Sequence, residues 1–163
     1  MSLINDFSVR IYESPLKEIR DSDSFVDVGN PVHALMLLVD FVTELQTSGI
    51  TDFIGNSTGR FAHETVAVLR TADRPTEADI LAKIIRVAGD VGMTHKSVQD
   101  DLSGMPEFSI ASFSDVHGDK WDDACEAIER LADGIDLDGV YSCMNAYCNR
   151  YQAEIEAALN ENG

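Results

Sequence analysis

The stretch Asn30-Pro-Val-His-Ala-Leu-Met-Leu-Leu-Val-Asp-Phe-Val-Thr-Glu-Leu-Gln-Thr-Ser-Gly49 decides the fold. Asparagine before proline is a strong helix start. The side-chain oxygen can accept from unpaired first-turn N–H groups, and proline at the first helical position has no N–H to waste. Val32, Leu35, Leu38, Val39, Val42 and Leu45 then recur at helical spacing until Ser48-Gly49 stops the run. Met36, Leu37 and Phe41 widen the stripe, which predicts a helix central in a core.

Working outward, Gly55-Asn-Ser-Thr-Gly59 reads as a loop, with Ser57 or Thr58 capping a second helix that carries Phe61, Val66, Leu69 and Ala72 on one side. Arg74-Pro75 ends it. Thr76-Glu-Ala-Asp79 opens a third helix, with a threonine cap and acids in the turn where the dipole favours them. Its core face is Ile80, Leu81, Ile84, Ile85 and Ala88, and Gly89 or Gly92 closes it. Thr94 caps a short helix to Leu102, and 103–118 reads as a loop with one turn around Phe108 to Phe113. Trp121, Ala124, Cys125, Ile128, Leu131 and Ala132 mark the next helix. Leu137, Val140, Tyr141, Met144, Cys148, Tyr151, Ile155 and Leu159 mark a last one of about six turns. Before Asn30, Phe7, Val9 and Ile11 alternate like a short strand, and a helical turn follows Pro15. The expected architecture is all-α: a mostly helical single domain over 1–163 with about six to eight helices and at most a minor N-terminal strand. Residues 30–159 form the helical core, and 1–29 are an N-terminal segment of open structure.

Composition bounds the function. The 163 residues carry 29 acids against 12 bases, a formal net charge of −17. That balance speaks to solubility and partners, and it argues against nucleic acid or an anionic membrane as a direct ligand. No run approaches the ~18 apolar residues of a membrane span, and the N-terminus lacks the basic-then-apolar pattern of a secretory signal. Cys125, Cys143 and Cys148 are odd in number and lack Cys-x-x-Cys spacing, so they read as reduced thiols of a cytoplasmic protein.

The acid is unevenly placed. Residues 60–86 hold Glu64, Asp73, Glu77 and Asp79 against Arg60, Arg70, Arg74, Lys83 and Arg86, a sum of +1. Residues 100–138 hold twelve acids against Lys120 and Arg130, a sum of −10. At ~100° per residue, with Trp121 at zero, the apolar set of 119–133 spans roughly 280° to 40°. Asp119, Asp122, Asp123, Glu126, Glu129 and Asp133 span roughly 80° to 200°. Steps of three or four residues put successive acids about 4.5–6 Å apart along the axis. Such a row suits a stand-in for a nucleic-acid backbone. Together with Asp136 these are the candidate partner-binding residues. Two plainer readings stay open: a polar outer face that happens to be acidic, and the acidic surface of a high-salt proteome, which four lysines against eighteen aspartates would fit.

Chemistry is harder to find. His33, His63, His95 and His117 are widely separated. His63-Glu64 lacks the second histidine of a zinc-protease helix, since position 67 is alanine. The Gly55–Gly59 loop lacks a P-loop's lysine and preceding strand. Cys143 as a nucleophile would need a distant histidine, and cysteine on a core helix is usually a small hydrophobe. The expectation is no enzyme, no cofactor and no metal.

Glu44-Leu-Gln-Thr-Ser-Gly-Ile-Thr-Asp-Phe-Ile-Gly-Asn-Ser-Thr-Gly59 resembles the signature of the DNA mimic protein 19 family. Glu44, Leu45, Gly49, Phe53, Asn56, Ser57 and Gly59 match it. Thr47, Ser48, Ile50 and Asp52 stand where it has Asn, Gly, Phe and Gln. Val68-Leu-Arg-Thr-Ala72, the helix from Ala78 and Asp136-Leu-Asp-Gly-Val-Tyr141 extend the similarity over roughly 30–158. The resemblance implies a mostly helical domain, compatible with a homodimer. At least one member mimics duplex DNA and occupies a DNA-binding transcription regulator. The expected function is therefore an acidic binding protein, a DNA mimic that sequesters a basic DNA-binding or nuclease-like partner. The alternatives are a small-ligand-binding protein or enzyme with a pocket near Asn56-Ser57 or under the helix carrying Tyr141, and a structural or oligomerisation domain.

Overall fold

The computed structural model describes residues 3–21, 27–56, 58–104 and 113–161. Among them lie ten α-helices and no strand: α1 (Leu3–Glu13), α2 (Pro31–Thr47), α3 (Ile50–Gly55), α4 (Ala62–Thr71), α5 (Pro75–Asp90), α6 (His95–Gly104), α7 (Phe113–His117), α8 (Asp119–Ala132), α9 (Leu137–Arg150) and α10 (Gln152–Glu161). Two 3-10 segments, Pro15–Asp21 and Gly59–Phe61, complete the order. The first of these is the turn expected after Pro15.

The start of α2 is fixed by Asn30, whose Oδ1 accepts from the N–H of Val32 at 2.9 Å and of His33 at 3.4 Å. Every residue of α2 from Val32 to Leu38 is buried, as are Phe41 and Val42. The helix is enclosed by α4, α9, α3 and α10. One cluster of buried side chains runs from Ile4 to Leu159, so the N-terminal segment shares the core of 30–159. No helix among the described residues is long and apolar enough to cross a membrane.

Four local expectations are corrected. The strand at Phe7, Val9 and Ile11 is the helix α1: Ile4, Phe7 and Ile11, spaced three and four apart, are buried while Val9 is 52% exposed. Two-residue alternation over three positions was too short a window to exclude the helical period. Thr76 does not cap α5; Pro75 takes the first helical position and Arg74 the cap position, without a side-chain cap bond. Thr58 is buried and makes no cap bond either, and α4 begins only after a 3-10 turn; Ser57 lies outside the described residues. The last long helix is broken at Tyr151 into α9 and α10. The bond from Tyr151 N–H to Tyr147 and that from Ile155 N–H to Tyr151 both survive at 3.0 Å, so the break is a bend. It turns α10 back onto α1 and α2, where Ile155 and Leu159 are buried. Burial of those two side chains outweighs the small cost of the bend.

Other signals hold. Thr94 and Ser97 form a reciprocal capping pair: Thr94 N–H donates to Ser97 Oγ at 2.8 Å, and Ser97 N–H to Thr94 Oγ1 at 3.2 Å. The turn placed around Phe108 to Phe113 lies largely outside the described residues; α7 begins at Phe113.

A carboxylate row on α8 as the candidate binding face

Helix α8 is seated by three buried side chains, Trp121, Ala124 and Ile128, against α5 and α3. Trp121 is fixed twice over: its indole N–H donates to the carbonyl of Val91 at 3.0 Å, and its ring stacks on His117 at 3.6 Å between centroids. His117 Nε2 in turn lies 2.5 Å from Asp101 Oδ2, which ties α6 and α7 to the start of α8. The opposite side of α8 carries Asp119, Asp122, Asp123, Glu126 and Glu129. Asp133 follows at the C-cap, and all six are exposed. The angular separation expected from the sequence is therefore the one the packing adopts.

Among the described residues, Glu126 alone of these six has an ion-pair partner, Arg130 Nη2 at 2.6 Å. Arg130 falls inside the acidic sector and neutralises one charge near its middle. The other five stand as fixed, solvated anions. Asp136 is different. It precedes α9 as its cap, with Oδ1 accepting from the N–H of Gly139 at 2.9 Å, and Oδ2 accepts from Arg74 Nη2 at 2.9 Å. The structure thus brings six of the seven candidates together and gives the seventh a job in joining α9 to α5.

That job has a pH signature. The N–H of Gly139 first, and then Arg74, hold the Asp136 carboxyl below its ordinary range. A depressed folded value means the stabilisation is complete above the unfolded carboxylate range and is lost as pH falls through the folded value. Asp136→Asn should therefore lower stability at neutral pH, with the gap to wild type closing at the most acidic pH where both remain folded. Chemical denaturation at several pH values measures it. A gap constant down to strong acid would show that the carboxylate charge is irrelevant there.

The cation that holds Asp136 was missed in the sequence. Arg74 Nε donates to Glu77 Oε2 at 3.0 Å and its Nη2 to Glu77 Oε1 at 2.5 Å, while Glu77 is only 4% exposed. A buried carboxylate must be paired, so Glu77 is a core group, although in sequence it looked like one of several first-turn acids. Of the other bases in 60–86, Arg70 reaches Asp79 at 2.9 Å.

The matched signature residues also work in packing. Asn56 Nδ2 donates to Glu44 Oε2 at 2.6 Å, tying the end of α3 to α2. Phe53 is wholly buried, edge-on to Phe41 at 5.3 Å. A Cβ on Gly59 would sit 2.2 Å from the carbonyl oxygen of Phe53, so only glycine fits that crossing. The space beside Asn56 is a cavity of about 120 Å³ lined by Thr51, Val98 and Trp121 among others. Beside α9, a cleft of about 310 Å³ opens on Arg74, which is already engaged by Glu77 and Asp136. In α9, burial pushes the thiol of Cys143 up to about 11 and that of Cys148 up to about 12, away from the thiolate a nucleophile needs.

Fold and site together define a class: an all-helical protein that presents fixed carboxylates on the outer face of one well-anchored helix. The chain belongs to the DMP19-like protein family, whose pattern matches residues 29–151. No curated protein and no solved structure matches it.

Proposed function

We propose that the chain is an acidic decoy: its α8 row occupies the cationic surface with which a DNA-binding or nuclease-like protein grips the DNA backbone. The observation that carries this reading is the set of five exposed carboxylates without ion-pair partners among the described residues, Asp119, Asp122, Asp123, Glu129 and Asp133, on a helix whose other side is locked by Trp121 and Ile128. Membership of the DMP19-like family supports it. The energetics add weight. Like charges three or four apart on a helix cost a few tenths of a kcal/mol each, and Glu129 and Asp133 sit at the negative end of the α8 dipole, where acids are disfavoured. A helix shaped for stability alone would not place them there. In this reading the protein performs no reaction. Its place is the cytoplasm, where free thiols and a DNA-binding partner both belong.

The test is the variant Asp122→Asn with Asp123→Asn and Glu129→Gln, which leaves the Glu126–Arg130 pair intact. Two effects of opposite sign are expected. The melting temperature at low salt should rise, because repulsion is relieved, and the rise should shrink as salt screens it. Association with the partner should slow by about tenfold or more at low salt. The partner is to be found by immobilising the wild-type chain and eluting bound cytoplasmic proteins with duplex DNA. Partner binding that coexists with DNA binding, or that the triple change leaves untouched at low salt, would remove the decoy reading.

A further inference from the structure

Helix α5 separates two surfaces of opposite character. At about 100° per residue, with Ile80 at zero, Val91 falls near 20°. These are the residues turned toward α8: Ile80 lies against Gly134, and the Val91 carbonyl accepts from Trp121. Ala82, Ile85, Arg86 and Gly89 fall between about 140° and 240°, on the opposite flank. There they line a groove of about 690 Å³ with the start of α4 and the turn leading into α6.

The groove is cationic in a strongly anionic protein. Arg60, Arg86 and Lys96 line it with two of the four histidines, His63 and His95, and the one carboxylate in its lining is Asp90. Lys96 is paired with Asp100, outside the lining. Arg86 is exposed and makes no ion pair among the described residues. The floor is apolar, formed by Ala62, Ala82, Ile85, Ala88 and Met93. Small side chains at Ala62, Ala82 and Ala88 leave the volume open. The Nδ1 of His95 is buried there without a hydrogen-bond partner. A concave apolar floor of this size with a few charged groups on its rim suits a small molecule rather than a flat protein surface.

We propose that this groove binds a small organic anion: a carboxylate, sulfonate or phosphate held by Arg86 and Lys96, with an apolar body of one or two rings on the Ile85–Met93 floor. The site is separate from the α8 row and does not depend on the decoy reading.

The probe is anilinonaphthalene sulfonate, with uncharged phenylnaphthylamine as its control, titrated by fluorescence and by amide chemical shifts on the full chain. Saturable binding of the sulfonate is expected, with shifts confined to the segments around Ala62, Ile85–Gly89 and Met93–Lys96. Arg86→Ser with Lys96→Ser, both on exposed side chains, should weaken the sulfonate about tenfold and leave phenylnaphthylamine unchanged. The α8 triple variant should bind the sulfonate at least as well as wild type. Shifts spread over other faces, equal weakening of both probes, or no effect of the double change would overturn the proposal. So would a salt-sensitive dimer in sedimentation that the double change dissociates, since a second copy would then occupy the groove.

Discussion

Arg74→Ala is expected to cost the fold about 3–5 kcal/mol. Unfolding of a domain this size is opposed by only about 5–15 kcal/mol in total. The loss does not measure the attraction between Arg74 and Glu77, because in wild type much of that attraction offsets the expense of taking both charges from water. It measures what remains once the guanidinium is gone: the Glu77 carboxylate, 4% exposed, with its two-point partner removed. Asp136 loses the same cation, so the joint between α5 and the start of α9 loosens as well. Arg74→Lys should recover only part of the stability, since an ammonium cannot present a planar fork to Glu77 and still reach Asp136. Arg74→Met with Glu77→Leu should recover most of it, because an apolar pair of similar volume leaves no buried charge unpaired. Urea denaturation followed by helical circular dichroism gives all three numbers. An alanine variant within 1 kcal/mol of wild type would mean that Glu77 finds water or another donor.

Gly59→Ala is the second large effect, and its origin is steric. The added methyl would lie 2.2 Å from the carbonyl oxygen of Phe53 and 2.4 Å from that of Ile54. Both atoms are backbone, so no rotamer change relieves the overlap. The 3-10 turn must move away from the end of α3, and Phe53 with it, although Phe53 is fully buried against Phe41. A destabilisation of about 3 kcal/mol or more is expected, in the range that single changes reach only by breaking a packed contact. Gly89→Ala is the control. It adds the same methyl in α5 with nothing within 4 Å, and it should stay within about 1 kcal/mol of wild type. Thermal melts of the two variants side by side decide the matter. If they fall together, the crossing of α3 and the 3-10 turn is looser than its geometry implies.

What could be read in the sequence was local. Asn30-Pro31, Ser48-Gly49 and Thr94 set helix boundaries through bonds to neighbours two to five residues away, and the expected boundaries are those observed. The α8 faces followed from angular arithmetic on one helix, which needs no knowledge of the rest of the molecule. What could not be read was distant. Arg74 and Asp136 lie 62 residues apart, and nothing in periodicity couples them. The bend at Tyr151 has no proline or glycine to announce it, and it exists because α10 has α1 and α2 to pack on. The meeting of His63 with His95 in one groove depends on how α4, α5 and α6 are folded together. A hint was present in the sum of +1 over residues 60–86, a near-neutral island in a chain of −17. It was weighed only as a measure of how uneven the acidity is.

The opposite characters of the two flanks of α5 have a consequence for motion in solution. A uniformly anionic sphere drawn to a cationic surface arrives in any orientation, and most collisions are wasted. This molecule has a lopsided charge, so the same field exerts a torque on it and turns the α8 side forward while the two bodies are still separated by solvent. Rotation of that kind raises the fraction of encounters that lead to docking without adding a single contact.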